Sequence, residues 1–167
     1  SLLAVRNGLA KITLLGDEIT VREQLRAQIG DAAAPAGLGV IDPRTSEHAD
    51  ALADALFERR NHKGVDRARA ARDSLDPLNF AALMVHTGLA DGTVAGAVAT
   101  TAQTVRAALQ MIGKHPDAGA VSSFFLMVLD PARHGDKAGT YIFSDAGLTI
   151  EPTVDELAGI VQASADS

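Results

Sequence analysis

Residues 11–41 read KITLLGDEITVREQLRAQIGDAAAPAGLGVI. Lys11 to Leu15 is a short aliphatic run closed by Gly16 and Asp17, the pattern of a buried strand ending in a turn. From Thr20 to Ile29 the apolar residues Val21, Leu25 and Ile29 recur at a helical period, and Gly30 ends it. An Ala/Pro loop, Asp31 to Ala36, leads to a second aliphatic run, Leu38 to Ile41, which Asp42 and Pro43 close.

The same alternation continues along the chain. Thr45 to Arg60 is expected to be a helix, with Leu52, Ala55 and Leu56 on one face. Val65 to Ser74 is Ala/Arg-rich and helical in character. Asp76-Pro77 pairs a capping carboxylate with a first-turn proline, opening a helix that carries Phe80, Leu83 and Met84 and stops at Gly88. Thr93 to Val98 then reads as a strand, Thr101 to Ile112 as a helix, Ala120 to Leu129 and Thr140 to Ser144 as strands, and Thr153 to Ala163 as a last helix. Short buried strands alternating with helices imply an α/β fold with a largely parallel sheet flanked by helices. The polar loop DPARHGDKAG, residues 130–139, is the expected boundary. Residues 1–139 would then form the main part of a first α/β domain, and 140–167 the start of a second.

Composition narrows the function classes. A chain of 167 residues with 47% hydrophobic and 22% charged residues can build a real core. Its net charge of −6 lacks the cationic excess that broad nucleic-acid binding requires. Anionic ligands must therefore meet locally placed cations. The absence of Cys excludes disulfides, thiolate metal sites and a catalytic thiol in these residues. Phe124 to Leu129, the longest apolar run of the second half, is far shorter than a membrane span, and Ser1 to Ala4 is too short for a signal core. A soluble cytoplasmic protein is expected, with neither membrane nor nucleic acid as partner. The histidines, at 48, 62, 86, 115 and 134, show no helical pair spacing and no accompanying carboxylate cluster, so no metal is expected. Neither a G-x-S-x-G elbow nor a G-x-x-x-x-G-K loop is present.

The segment with chemical content is DGTVAGAVATTAQTVRAALQ, residues 91–110. A strand ends near Val98, two hydroxyls follow at Thr100 and Thr101, and a helix begins at once. Loops at the carboxyl ends of strands form the ligand crevice of such folds, and a helix N-terminus there offers unpaired amides and a positive dipole end to phosphate. Thr104 and the forked guanidinium of Arg106 lie in the first turns. Equally, Thr100 or Thr101 would serve as an ordinary cap and Arg106 as a solvated surface charge. Ser122 and Ser123 open an aliphatic strand, where serines commonly bond the backbone; a cleft-facing role for Ser122 is the alternative. Asp145 either lines a cleft or closes the turn to Gly147.

Longer strings carry a resemblance. DPLNFAALMVHTGLADGTVAGAVATTAQTVRAALQMIG (76–113), VSSFFLM (121–127) and YIFSDAG (141–147) resemble, in order, the phosphate acetyl/butyryltransferase family. That family carries a D-P-x-x-F-(G/A)-x-x-M-V helix, an A-D-G-x-V-(S/A)-G strand end and a T-T-x-D-T-x-R-P-A-x-Q helix start. It also carries a V-S-S-x-F-x-M strand and an F-A-D strand. Upstream, LLGDE (14–18) and IDP (41–43) match its strand endings, and RRNHKG (59–64) its R-K-H-K-G turn. Gly96, Thr100, Thr101, Thr104, Arg106 and Gln110 match the family pattern, whereas Ala99, Gln103 and Ala107 stand where it usually has His, Asp and Pro.

The resemblance implies an enzyme that moves an acetyl group between coenzyme A and inorganic phosphate, with coenzyme A as substrate and no further cofactor. It implies that Arg60, in the R-x-H-K-G match, and Arg106 contact coenzyme A phosphates. A basic helix end around Arg60, with Arg59, His62 and Lys63, also complements the helix dipole without any ligand. A homodimer or higher homo-oligomer is expected, built of two α/β domains with the cleft between them. Transfer would be direct, in a ternary complex. The family's base, an Asp, and its neighbouring Arg belong to an R-G-C-S-x-x-D-type segment, which residues 1–167 do not contain, so the chain reads as an N-terminal piece trimmed at both ends. A non-catalytic acyl-CoA-binding or assembly module, as in the C-terminal part of some malic enzymes, is the competing reading. The sequence leaves acetyl and butyryl transfer undistinguished.

Overall fold

The computed structural model describes residues 1–30, 33–116 and 121–166. A short helix, α1 (Leu2–Arg6), precedes β1 (Ile12–Leu15), α2 (Glu18–Ile29) and β2 (Leu38–Ile41). The two strands pair in parallel, Ile12 opposite Leu38 through Leu15 opposite Ile41, with α2 in the connection. The start of α2 is fixed locally: the Asp17 carboxylate accepts the Thr20 amide at 2.9 Å. Glu18 in its first turn and Arg26 in its last complement the dipole. The loop expected over Asp31 to Ala36 has its first two residues outside the described residues.

Three helices supply most of the core of this first unit. In α3 (Ala49–Arg60), Leu52 and Leu56 are fully buried one turn apart. A 3-10 turn, Asn61–Lys63, follows; Gly64 closes it at φ 81°, a left-handed conformation that glycine adopts without a Cβ clash. Asp66 caps α4 (Arg67–Asp73), and Asp76 caps α5 (Pro77–His86) by accepting the Leu78 and Asn79 amides at 3.0 and 3.2 Å. Phe80, Leu83 and Met84 of α5 meet Leu52, Leu56 and Met111, the last from α6 (Thr101–Met111), and Leu15 and Ile41 at the strand ends pack against that cluster. The helix starting at Asp76-Pro77 and the apolar stripes of α3 and α5 thus lie where the sequence placed them.

The strand expected over Thr93 to Val98 is not formed. Val94 and Val98 are wholly exposed, with relative exposures of 102% and 101%. Ala95, Gly96 and Ala97 offer little side chain to a pleated surface, and no neighbouring strand pairs with them among the described residues. The segment is an irregular, solvent-facing lead into α6.

The chain divides into two compact units, Ser1–Gly113 and Lys114–Ser167. In the second, β3 (Phe124–Leu129) and β4 (Gly139–Ser144) form an antiparallel pair, Phe124 opposite Ser144 through Leu129 opposite Gly139. The expected start of the first of these strands, Ala120, lies outside the described residues. Between them, the 130–139 segment folds into a helical turn, α7 (Pro131–His134), and a 3-10 turn, Gly135–Lys137; the Asp130 carboxylate accepts the Ala132 amide at 2.7 Å. A last helix, α8 (Val154–Ala165), is opened by a capping box between Thr153 and Glu156 and buries Ile160. The class is mixed α/β, but the largely parallel sheet expected from the strand–helix alternation is not formed among the described residues, because β3 and β4 close on each other as an antiparallel hairpin. Its described strands form two small sheets, one parallel and one antiparallel.

Candidate anion-binding site

The beginning of α6 separates its hydroxyls into two kinds. Thr100 is the cap: its Oγ1 accepts the Gln103 amide at 3.3 Å, while the Gln103 side-chain oxygen accepts the Thr100 amide at 2.8 Å and the Thr100 hydroxyl at 3.0 Å. This reciprocal capping box satisfies two orphan donors at once. Thr104 is engaged too, donating to the Thr100 carbonyl at 3.2 Å. Thr101 is exposed, and its hydroxyl has no partner among the described residues. The Thr101 and Ala102 amides, at the first turn, likewise lack an intrahelical acceptor. Arg106 is exposed and has no carboxylate partner among the described residues. It stands five residues beyond Thr101, about 7.5 Å along the helix axis. The exposed Thr101 hydroxyl, the open first-turn amides and the positive helix end are the groups an anion would meet at this terminus, with Arg106 set further along the helix.

Arg60, the last residue of α3, is half-buried and also lacks an acidic partner among the described residues. Its neighbour differs. Arg59 donates from Nε to the Gln110 carbonyl at 3.0 Å and from Nη2 to the Ile112 carbonyl at 2.5 Å, gripping the carboxyl end of α6. Arg60 therefore lies towards that end, while the threonines occupy the other, about 15 Å away along an 11-residue helix. The structure carries Arg106 and the threonines on α6 and Arg60 at the end of α3, and does not converge them on one point.

In the second unit, Ser122 is half-buried just before β3, and Asp145 is exposed just after β4 at φ 56°, a left-handed conformation that Asp tolerates in turns. The two share the open end of the hairpin, where the Ala146 amide donates to the Ser123 carbonyl at 3.3 Å.

Sequence reasoning passed over three features. The Thr100-x-x-Gln103 box was readable from its spacing alone. A second is the ion cluster at the carboxyl ends of β1 and β2: Arg44 bonds Asp42 through Nε at 3.1 Å and Nη2 at 2.8 Å, and reaches Asp17 at 3.3 Å. It joins the two strand-end loops. The Thr20 hydroxyl and amide, and then Arg44, hold the Asp17 carboxyl below its ordinary range. The Arg44 guanidinium and amide do the same for Asp42, and the Arg44 pKa is raised in return. The third is Arg59, for which no local signal exists. Among the described residues, no three His, Asp or Glu gather as metal ligands, and no helix is long and apolar enough to cross a membrane.

The fold is that of a mixed α/β protein. The chain belongs to the phosphate acetyl/butaryl transferase family, which it matches over residues 3–167. It is 46% identical to a phosphate acetyltransferase of Paracoccus denitrificans, over 96% of this chain and 45% of that protein. It is 40% identical to one of Treponema pallidum, over 99% of this chain and 48% of that protein. Among solved structures, a phosphotransacetylase from Streptococcus pyogenes superposes with a TM-score of 0.78 at 32% identity, over 95% of this chain and 46% of that one. The chain spans about half the length of these relatives.

Proposed function

We propose that the protein carrying these residues is an acyltransferase that moves an acetyl group between coenzyme A and inorganic phosphate. The observation that carries this reading is the family match along residues 3–167, joined by relatives named phosphate acetyltransferase. In the direction of thioester synthesis, the coenzyme A thiol gives its proton to a base and its sulfur forms a bond to the acetyl carbonyl carbon. The carbon–oxygen bond to phosphate breaks, and phosphate leaves. Transfer on this reading is direct, within a ternary complex of the two substrates.

This chain's part is to bind and orient. The thiol's ordinary pKa, about 8.5, leaves little thiolate at neutral pH, so positioning beside a base matters. Thr101, the first-turn amides of α6 and Arg106 receive phosphate oxygens, with Thr100 and Thr104 shaping that turn. Arg60 receives a second phosphate group of coenzyme A. Ser122 and Asp145 lie together in the second unit, at the open end of the β3–β4 hairpin. The protein acts in the cytoplasm as a homo-oligomer. The test is thioester formation from acetyl phosphate and coenzyme A, followed by ultraviolet absorbance. Absence of coenzyme A-dependent turnover refutes the reading.

A further inference from the structure

We propose that Arg59 is a positioning residue: it holds Arg60 in place for coenzyme A by clamping the end of α3 to the end of α6. The inference rests on the acyltransfer reading and adds a residue that touches no substrate. Three observations carry it. The last carbonyls of a helix have no intrahelical amide partner, and the Arg59 fork takes two of them, on Gln110 and Ile112, from 51 and 53 positions away. The last turn of α6 contains no basic residue of its own, so the cation that complements its negative end comes from α3. Gly113 sits at φ 94°, and a Cβ built there would collide with the Arg59 guanidinium, so the backbone leaving α6 passes close beside it.

Arg60 follows Arg59 directly, on the final turn of α3 before the 3-10 turn. Of the two guanidiniums, one is committed to backbone carbonyls and the other has no acidic partner among the described residues. Arg59 thereby sets where the Arg60 side chain leaves the protein relative to α6, and so relative to Arg106 and Thr101. Lysine at 59 places one ammonium near one carbonyl and cannot reproduce the fork.

The experiment measures coenzyme A dissociation constants by calorimetry, with turnover and melting temperature alongside, for Arg59→Gln, Arg59→Lys, Arg60→Ala, Gly113→Ala and the Arg59→Gln/Arg60→Ala pair. Arg59→Gln is expected to weaken coenzyme A binding about tenfold while the turnover number at saturation stays within about twofold. Arg59→Lys recovers part of the loss, and Gly113→Ala reproduces part of it. Because Arg59 acts through Arg60, the pair binds no more weakly than Arg60→Ala alone, to within about twofold. A merely structural arginine lowers the melting temperature and leaves the dissociation constant alone; that result overturns the proposal, as does additivity in the pair. If Arg59→Gln does not fold, Arg59→Lys and Gly113→Ala, each combined with Arg60→Ala, decide it by the same criterion. Failure of the unaltered protein to bind coenzyme A overturns this inference and the function together. The binding pattern without thioester formation overturns the acyltransfer reading alone.

Discussion

Replacing Thr100 and Thr101 separately with Val tests whether capping and ligand binding are divided between these neighbours. Thr100→Val removes the oxygen that accepts the Gln103 amide at 3.3 Å and the hydroxyl that donates to the Gln103 side chain at 3.0 Å. The third bond of the box, from the Thr100 amide at 2.8 Å, survives. Loss of such a cap costs about 1 kcal/mol, within a range of roughly 0.5–2. In a chain of roughly 150–250 residues that lowers the melting temperature by about 2–4 °C. Thr101→Val removes an exposed hydroxyl that has no partner among the described residues, so stability should stay within about 0.5 kcal/mol. If that hydroxyl meets a phosphate oxygen, its loss costs about 1.5–3 kcal/mol of binding, roughly 10- to 150-fold in affinity. Thermal melting and thioester formation, measured on the same preparations, give both quantities. The opposite pattern, a destabilised Thr101→Val that binds normally beside a stable Thr100→Val that does not bind, refutes the division.

Arg60→Ala and Arg106→Ala should each weaken coenzyme A or phosphate binding by about 1.5–3 kcal/mol, the scale of a charge-assisted bond; unchanged Michaelis constants for both substrates refute the assignment. Asp17 and Asp42 have folded pKa values below the ordinary 3.8, so their stabilisation is present above that pH and lost as pH falls through the lowered values. Melting temperature should therefore fall as the solution is acidified below about pH 4. Arg44→Ala should make that acid slope shallower, and an identical slope in the variant excludes the cluster as its source. Phe80, wholly buried between α3 and α6, should cost about 3–5 kcal/mol on replacement by Ala, read as a lower midpoint of urea unfolding.

What was legible in the sequence was local. β1, α2 and β2, the Asp76-Pro77 helix start and the buried faces of α3 and α5 follow from periodicity and from caps whose partners lie within three residues. The candidate site was legible to the extent that it uses a helix terminus: Thr100, Thr101, Thr104 and Arg106 lie on α6 as expected. The strand assigned to Thr93–Val98 failed because alternation and two valines signal a strand only when a neighbour offers a ladder. Ala95, Gly96 and Ala97 bring too little side chain to the pairing.

The sequence by itself determined the class of the fold, the helix that carries the free hydroxyl and Arg106, and the family, because each rests on residues close together or on motifs in order. Only the tertiary structure decided which neighbour does which job. Arg59 grips α6, while Arg60 has no acidic partner among the described residues. It also decided that the 130–139 segment joins two antiparallel strands and that Arg44 ties the ends of β1 and β2 together. The physical reason is separation along the chain. Arg59 and Arg60 are chemically identical and adjacent. They differ only in which one faces carbonyls 51 and 53 positions away, and that follows from how α3 and α6 pack.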